Sequence, residues 1–152
     1  GAGVKVVHAT VQVFPDRWGA NDNARLFGAA RRSPVQLVAG TAAVQPVPEL
    51  GYDPATDVVV PRFHGLSPFS GTELEHLLRN EGITTVVLAG VSLNVAIPNA
   101  AFDLVNAGFQ AVVATDCVVT TPPEYGELVL ANTLAYVGTL VGSEELASAW
   151  RP

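Results

Sequence analysis

Residues 83–108 read ITTVVLAGVSLNVAIPNAAFDLVNAG, a strand, a tight turn and a helix in immediate succession. Thr85-Val86-Val87-Leu88-Ala89 is apolar after its first residue, as expected of a strand covered on both faces of a sheet. Val95, Ala100, Ala101, Leu104 and Val105 follow at helical spacing, and Gly108 closes the helix. Open α/β sheets bind ligands in the crevice at the carboxyl ends of their strands. The turn from Gly90 to Ala96 is therefore the first place to look for function. It carries no evident nucleophile, base or metal ligand. If Asn94 caps the helix, Pro98 falls in the first turn, and the helix starts later or is locally distorted.

The same alternation extends outward on both sides. Upstream, Val4–Ala9 reads as a strand, and the loop to Ala20 contains Pro15 and Gly19. Asn21 or Asn23 is placed to cap a short helix through Arg32, with Leu26, Phe27 and Ala30 on one face. Prolines 34, 46, 48 and 54 predict a long surface excursion over Ser33–Thr56. Asp57–Val60 is a second strand, stopped by Pro61. Ser70-Gly71-Thr72-Glu73 has the capping-box pattern with Ser70 as N-cap, and its helix carries Leu74, Leu77 and Leu78 before Gly82. Downstream, Ala111–Ala114 is a fourth strand running into Thr115-Asp116-Cys117. Thr121-Pro122-Pro123-Glu124 is a second capping box, whose helix runs to about Val137 and buries Leu128, Val129, Leu134 and Ala135. Thr139–Val141 is a fifth strand, and Ser143 caps a last helix through Trp150. Strand and helix in alternation predict right-handed βαβ units. The expected fold is a single α/β domain over residues 1–152, three-layered and Rossmann-like, with a mainly parallel sheet.

Composition narrows the function classes. The chain is 49% hydrophobic and 14% charged, which excludes a disordered segment and suggests surface buried in a core or against partner subunits. A net charge of −6 without a basic cluster makes nucleic acid a poor partner. No apolar run reaches the ~18 residues of a spanning helix, so no membrane partner is expected. The single cysteine, Cys117, fits a reducing cytoplasm. The chain lacks methionine and starts with Gly1, as a processed, trimmed or partial chain does. No glycine-rich phosphate loop follows any strand, which argues against a nucleotide-binding domain.

Several motifs, taken in order, resemble the isochorismatase-like (cysteine hydrolase) family. They are Phe69, Gly71, Thr72, Leu74, Leu78, Arg79, Gly82 and Ile83; then Thr85, Val86, Val87, Gly90, Val91, Asn94 and Val95; then Asp103, Gly108 and Asp116. The match is good over 57–142 and looser over 1–56. The resemblance implies amide hydrolysis by an aspartate, a lysine and a cysteine. The cysteine would stand at the amino end of the central helix, where the helix dipole and the base lower its pKa. In this sequence that position is Ala96. The lysine's place falls within Pro61–Gly65, where the cations are Arg62 and His64. The aspartate's strand is expected upstream of Gly1, because Val4–Ala9 resembles the family's second strand. The resemblance also implies a non-proline cis peptide near Val91–Ser92. An isochorismate-cleaving branch works with a small residue at the cysteine's place, protonating a vinyl ether with the aspartate and letting water add.

Each candidate residue has two readings. Ser92 and Asn94 serve either substrate hydrogen bonding or ordinary turn chemistry. Arg62 is either a fixed cation for an oxyanion or carboxylate, or a solvated loop arginine. His64 either titrates in the site or hydrogen-bonds within its loop. Phe69 and Ala96 complete the substrate-binding set. His8 and Cys117 read as packing residues, and Asp116 beside the thiol disfavours a thiolate. The spacing of His8, His64 and His76 suits no metal, and no cofactor is expected.

Two functions follow as expectations. One is a hydrolase-family protein acting on a small metabolite by a cysteine-independent acid and water mechanism. The other is a catalytically silent relative that binds a small molecule or serves as an assembly subunit. The expected partners are a small-molecule substrate and further copies in a homo-oligomer. In the family the first strand lies mid-sheet, so a gap is expected here, filled by another chain or an upstream segment.

Overall fold

The computed structural model describes residues 3–151. The chain divides into two compact units, Val4–Thr72 and a second formed by Glu73 onward together with Gly3.

The first unit is built on a parallel pair, β1 (Val7–Val11) and β2 (Val58–Arg62), in the register Val7↔Val58 to Val11↔Arg62. β1 begins and ends later than the apolar run at Val4 suggests, because pairing with β2 starts at Val7. Pro61 does not stop β2 but sits inside it, opposite Thr10. A proline fits a strand with a free edge, where its missing N–H costs no ladder bond. Val13 and Val38 extend the unit through an isolated parallel bridge. The proline-rich excursion carries two 3-10 turns, Ala42–Val44 and Pro48–Leu50.

Helix α1 (Arg25–Arg32) has Ala24 as its N-cap, with no side-chain capping bond. The expected caps are recruited elsewhere: Asn21 Oδ1 accepts the Gly65 N–H at 2.8 Å, and Asn21 Nδ2 donates to Asn23 at 3.3 Å. No residue of α1 is buried, and Leu26 is 51% exposed. The apolar face predicted for this helix is thus open.

The second unit holds β3 (Thr85–Val91), β4 (Gln110–Val119) and β5 (Thr139–Val141), parallel and in the order β3-β4-β5. Helices α2 (Leu74–Asn80), α3 (Ala96–Asn106), α4 (Pro123–Asn132) and α5 (Ser143–Ala149) complete it. Among the described residues β1 pairs only with β2, and β3 only with β4. β3 is accordingly half-buried rather than enclosed, and Val91 is 72% exposed. The β3–β4 register shifts between Leu88 and Gly90, and pairing resumes at Val118. β4 therefore runs past Asp116 and Cys117 instead of ending there. The core centres on Leu104, Val113 and Leu134, each fully buried, with Ala101 beside them. Burying such side chains contributes roughly 1.5–3 kcal/mol each.

The three capping predictions in this half are corrected together. The N-cap of α2 is Glu73, not Ser70; that of α4 is Pro122, not Thr121; that of α5 is Gly142, not Ser143. None makes a side-chain capping bond. Pro123 does take the first helical position of α4, where a proline is pre-organised. α4 stops at Asn132 and gives way to a 3-10 turn, Leu134–Tyr136. Leu128 lies on the outer face of α4, 58% exposed, and Ala135 in the 3-10 turn is exposed, whereas Val129 and Leu134 are buried as expected. No helix of the described residues is long and apolar enough to cross a membrane.

Candidate functional site

The turn between β3 and α3 has the build its sequence suggests, with one change. The Val91–Ser92 peptide is cis. α3 is capped by Val95 rather than Asn94, so Pro98 is the third helical residue. An N–H there lacks an intrahelical acceptor in any α-helix, so the proline fits without distortion. The Ser92 carbonyl accepts the Val95 N–H at 3.2 Å and the Ile97 N–H at 3.1 Å. Asn99 Nδ2 returns to the Val95 carbonyl at 2.8 Å. Asn94 is exposed, Ser92 and Ala96 are half-buried, and Ala96 is the first residue of α3. Its methyl group offers no nucleophile.

The turn is braced from beneath. The Leu93 N–H donates to the Val119 carbonyl at 2.9 Å, and Leu93 is 3% exposed. A Cβ on Gly126 of α4 would lie 3.1 Å from Leu93 Cδ2 and 3.2 Å from Thr120 Cγ2. A side chain at Gly126 would therefore press both by a few tenths of an ångström. On the far side of β4, Asp116 accepts the Ser143 N–H at 2.9 Å and its hydroxyl at 2.6 Å. These bonds hold its carboxyl below the usual range and fasten α5 to the strand. Cys117 is exposed, contrary to the packing role expected of it, and its Sγ lies 3.7 Å from Asp116 Oδ1.

In the first unit, Arg62 ends β2. Its Nε is buried and has no hydrogen-bond partner, and burial pushes its pKa down. Arg62 as a whole is half-buried, and it ends the strand rather than lying in the loop after it. The loop that follows brings His64, exposed, onto Gly71, whose φ is +72°. A Cβ at Gly71 would come within 2.6 Å of the imidazole, so the ring rests directly on the glycine. Phe69 is 6% exposed, which places it in the interior. Ser67 Oγ accepts the N–H groups of Phe69 and Ser70, and this turn replaces the capping box.

The structure also assembles features the sequence did not signal. His8 Nε2 lies 3.1 Å from Asp57 Oδ2, and the side chains are 12% exposed each. Tyr52 meets the His8 ring edge-on at 5.2 Å. His8 is therefore a paired residue, not simple packing. Arg17, in the loop after β1, is a second arginine whose Nε is buried without a partner. It has a left-handed backbone, φ +60°, and its Nη1 donates to Gln36 Oε1 at 2.5 Å. Arg17 was legible only as a basic residue between two aromatics, Phe14 and Trp18.

The isochorismatase domain model matches residues 1–145. The chain belongs to the isochorismatase family. Within that family it is 32% identical over 99 residues to YwoC of Bacillus subtilis (strain 168), an isochorismatase family protein, matching 65% of this chain and 51% of the relative. The chain spans about half the length of the curated relatives it matches. Among solved isochorismatase folds, an isochorismatase-like hydrolase from Alkaliphilus metalliredigens superposes with a TM-score of 0.74 at 26% identity, over 97% of this chain and 70% of that one. The nicotinamidase PncA of Bacillus subtilis superposes at 0.69 with 26% identity, over 93% and 76%. The isochorismatase-like α/β fold and the hydrolase family are thus those the motifs pointed to.

Proposed function

We propose that this isochorismatase-family chain hydrolyses a small carboxylate-bearing metabolite without a covalent thiol intermediate. The observation that supports it most directly is Arg62, half-buried at the end of β2, whose buried Nε has no hydrogen-bond partner among the described residues. A half-buried guanidinium without a carboxylate partner among the described residues is suited to hold a substrate carboxylate or a developing oxyanion. Ala96 at the first position of α3 excludes attack by a side chain from that place. Water is then the nucleophile. For a vinyl ether of the isochorismate type, a proton adds to the enol carbon and water adds to the resulting oxocarbenium carbon. The hemiketal collapses to a keto acid and an alcohol, and the water proton returns to the base. The step calls for a general acid, a role that the family resemblance gives to an aspartate.

The silent-relative reading draws on the same alanine. Incubating the intact protein with isochorismate-type vinyl ethers and with small amides separates the two. The proposal expects turnover of the vinyl ether, no turnover of amides, and at least about a tenfold loss of kcat/KM in Arg62→Ala. No turnover of either class favours the silent relative, whether it binds a small molecule or serves as an assembly subunit.

A further inference from the structure

We propose that the open face of α1 receives the outer face of α4 from a second copy of this chain.

α1 is a helix without a cover. It has eight residues, and helices shorter than about 12 residues are marginal in water unless something packs on them. Yet no residue of α1 is buried. Its carboxyl end is held, because Gln36 Nε2 donates to the carbonyls of Ala30 at 3.2 Å, Arg31 at 3.3 Å and Ser33 at 2.5 Å. Phe27 is half-buried. On the side away from Phe27, Arg25, Gly28, Ala29 and Arg32 recur at the spacing of one helix face. Together with Leu26 they line an open groove of about 440 Å³.

The groove is charged as well as open. α1 carries arginines at 25, 31 and 32 and no acid. Among the described residues none of these arginines has a carboxylate partner. Arg25 and Arg32 flank the shallow middle of the face, where Gly28 and Ala29 bring little bulk. Arg32 leans over that middle: a Cβ on Gly28 would lie 3.5 Å from its Nη1. The partner that suits such a face is acidic and has a projecting apolar side chain.

α4 offers both. Glu124, Glu127, Leu128 and Ala131 recur at the same spacing, and all four are exposed. α4 has no basic residue, and among the described residues neither glutamate has a cation partner. Leu128 is the knob for the shallow middle of α1, and Glu124 and Glu127 beside it meet the arginines. The other helices suit the groove less well. α2 sets Arg79 among its acids, and α5 holds its leucine, Leu146, half-buried. Exposed ion pairs contribute little by themselves, so the packing of Leu128 supplies attraction while the charges select the partner.

The test is sedimentation velocity on the full chain, over a concentration series in low salt and again in 0.5 M NaCl. The parent is expected to self-associate, and more weakly in the higher salt. Arg25→Glu with Arg32→Glu, and separately Glu124→Arg with Glu127→Arg, are each expected to weaken association by at least about tenfold, since like charges then face each other. An equimolar mixture of the two reversed chains is expected to associate as the parent does, because each α1 again meets an α4 of opposite charge. A monomeric parent, association indifferent to both reversals, or a mixture no stronger than its components overturns the contact. Where a reversed chain does not fold, Leu128→Ala decides. This change leaves every charge in place at an exposed position. Association weakened severalfold supports the contact, and unchanged association overturns it.

Discussion

Asp57 accepts hydrogen bonds from His8, from the Asp53 N–H at 3.2 Å and from the Thr56 hydroxyl at 3.1 Å. The His8 bond is the largest cause holding its carboxyl below the usual 3.8, and the Asp53 N–H comes next. A carboxylate whose folded pKa is depressed contributes stability above its unfolded pKa, and that contribution is lost as pH falls through the folded value. The window lies below about pH 4. Urea unfolding from pH 6 to pH 3 should therefore show a shallower acid-side loss in Asp57→Asn than in the parent. Asp116, shifted the same way by Ser143, keeps part of that slope in the variant. Identical acid slopes in both proteins would refute the assignment. The sequence hid this pair because His8 and Asp57 stand 49 residues apart and meet only through strand pairing. Arg17 was hidden for a related reason: its partner Gln36 lies 19 residues away. Ser92, Asn94 and Ala96 were easier, because one local turn holds all three.

At the scale of elements, α3 separates a core face from an outer face cleanly. Leu104 is fully buried, while Phe102, two residues away, is 42% exposed. Leu104→Ala should cost about 2–5 kcal/mol in urea denaturation, with most of the effect from the cavity it leaves. Phe102→Ala on the same helix should stay within about 1 kcal/mol. Similar losses at both positions would mean that α3 is not seated as described. The order of strands and helices was legible because apolar runs and terminating glycines are local signals. Gly82 shows this: its φ is +67°, and the Ile83 N–H reaches back to the Leu78 carbonyl at 3.0 Å. The amino ends of the helices were not legible. Asn21 and Ser143 have capping chemistry, yet distant partners claim both side chains. The capping pattern is a local bid that a tertiary bond outcompetes.

Across the whole chain, charge is divided unevenly. Val4–Thr72 carries six basic and five acidic residues, whereas the rest carries two basic and nine acidic ones. The acid-rich part is thus loaded with mutual repulsion, which salt screens. Glu81 adds to it at the C-cap of α2, the wrong end of a helix for a negative charge. Glu81→Lys should raise the thermal midpoint by about 2 °C at low salt, with the gain shrinking in 0.5 M NaCl. A gain unaffected by salt would point away from charge as the cause. The family was legible at this scale because its motifs keep their order from Phe69 to Asp116, a span within the residues matched by the isochorismatase domain. The contact of Gly126 with Leu93 and Thr120 has a bearing on descent. Positions 93 and 126 lie against each other, so a change in size at one is felt at the other. A side chain gained at 126 must be met by a few tenths of an ångström of give at Leu93 and Thr120.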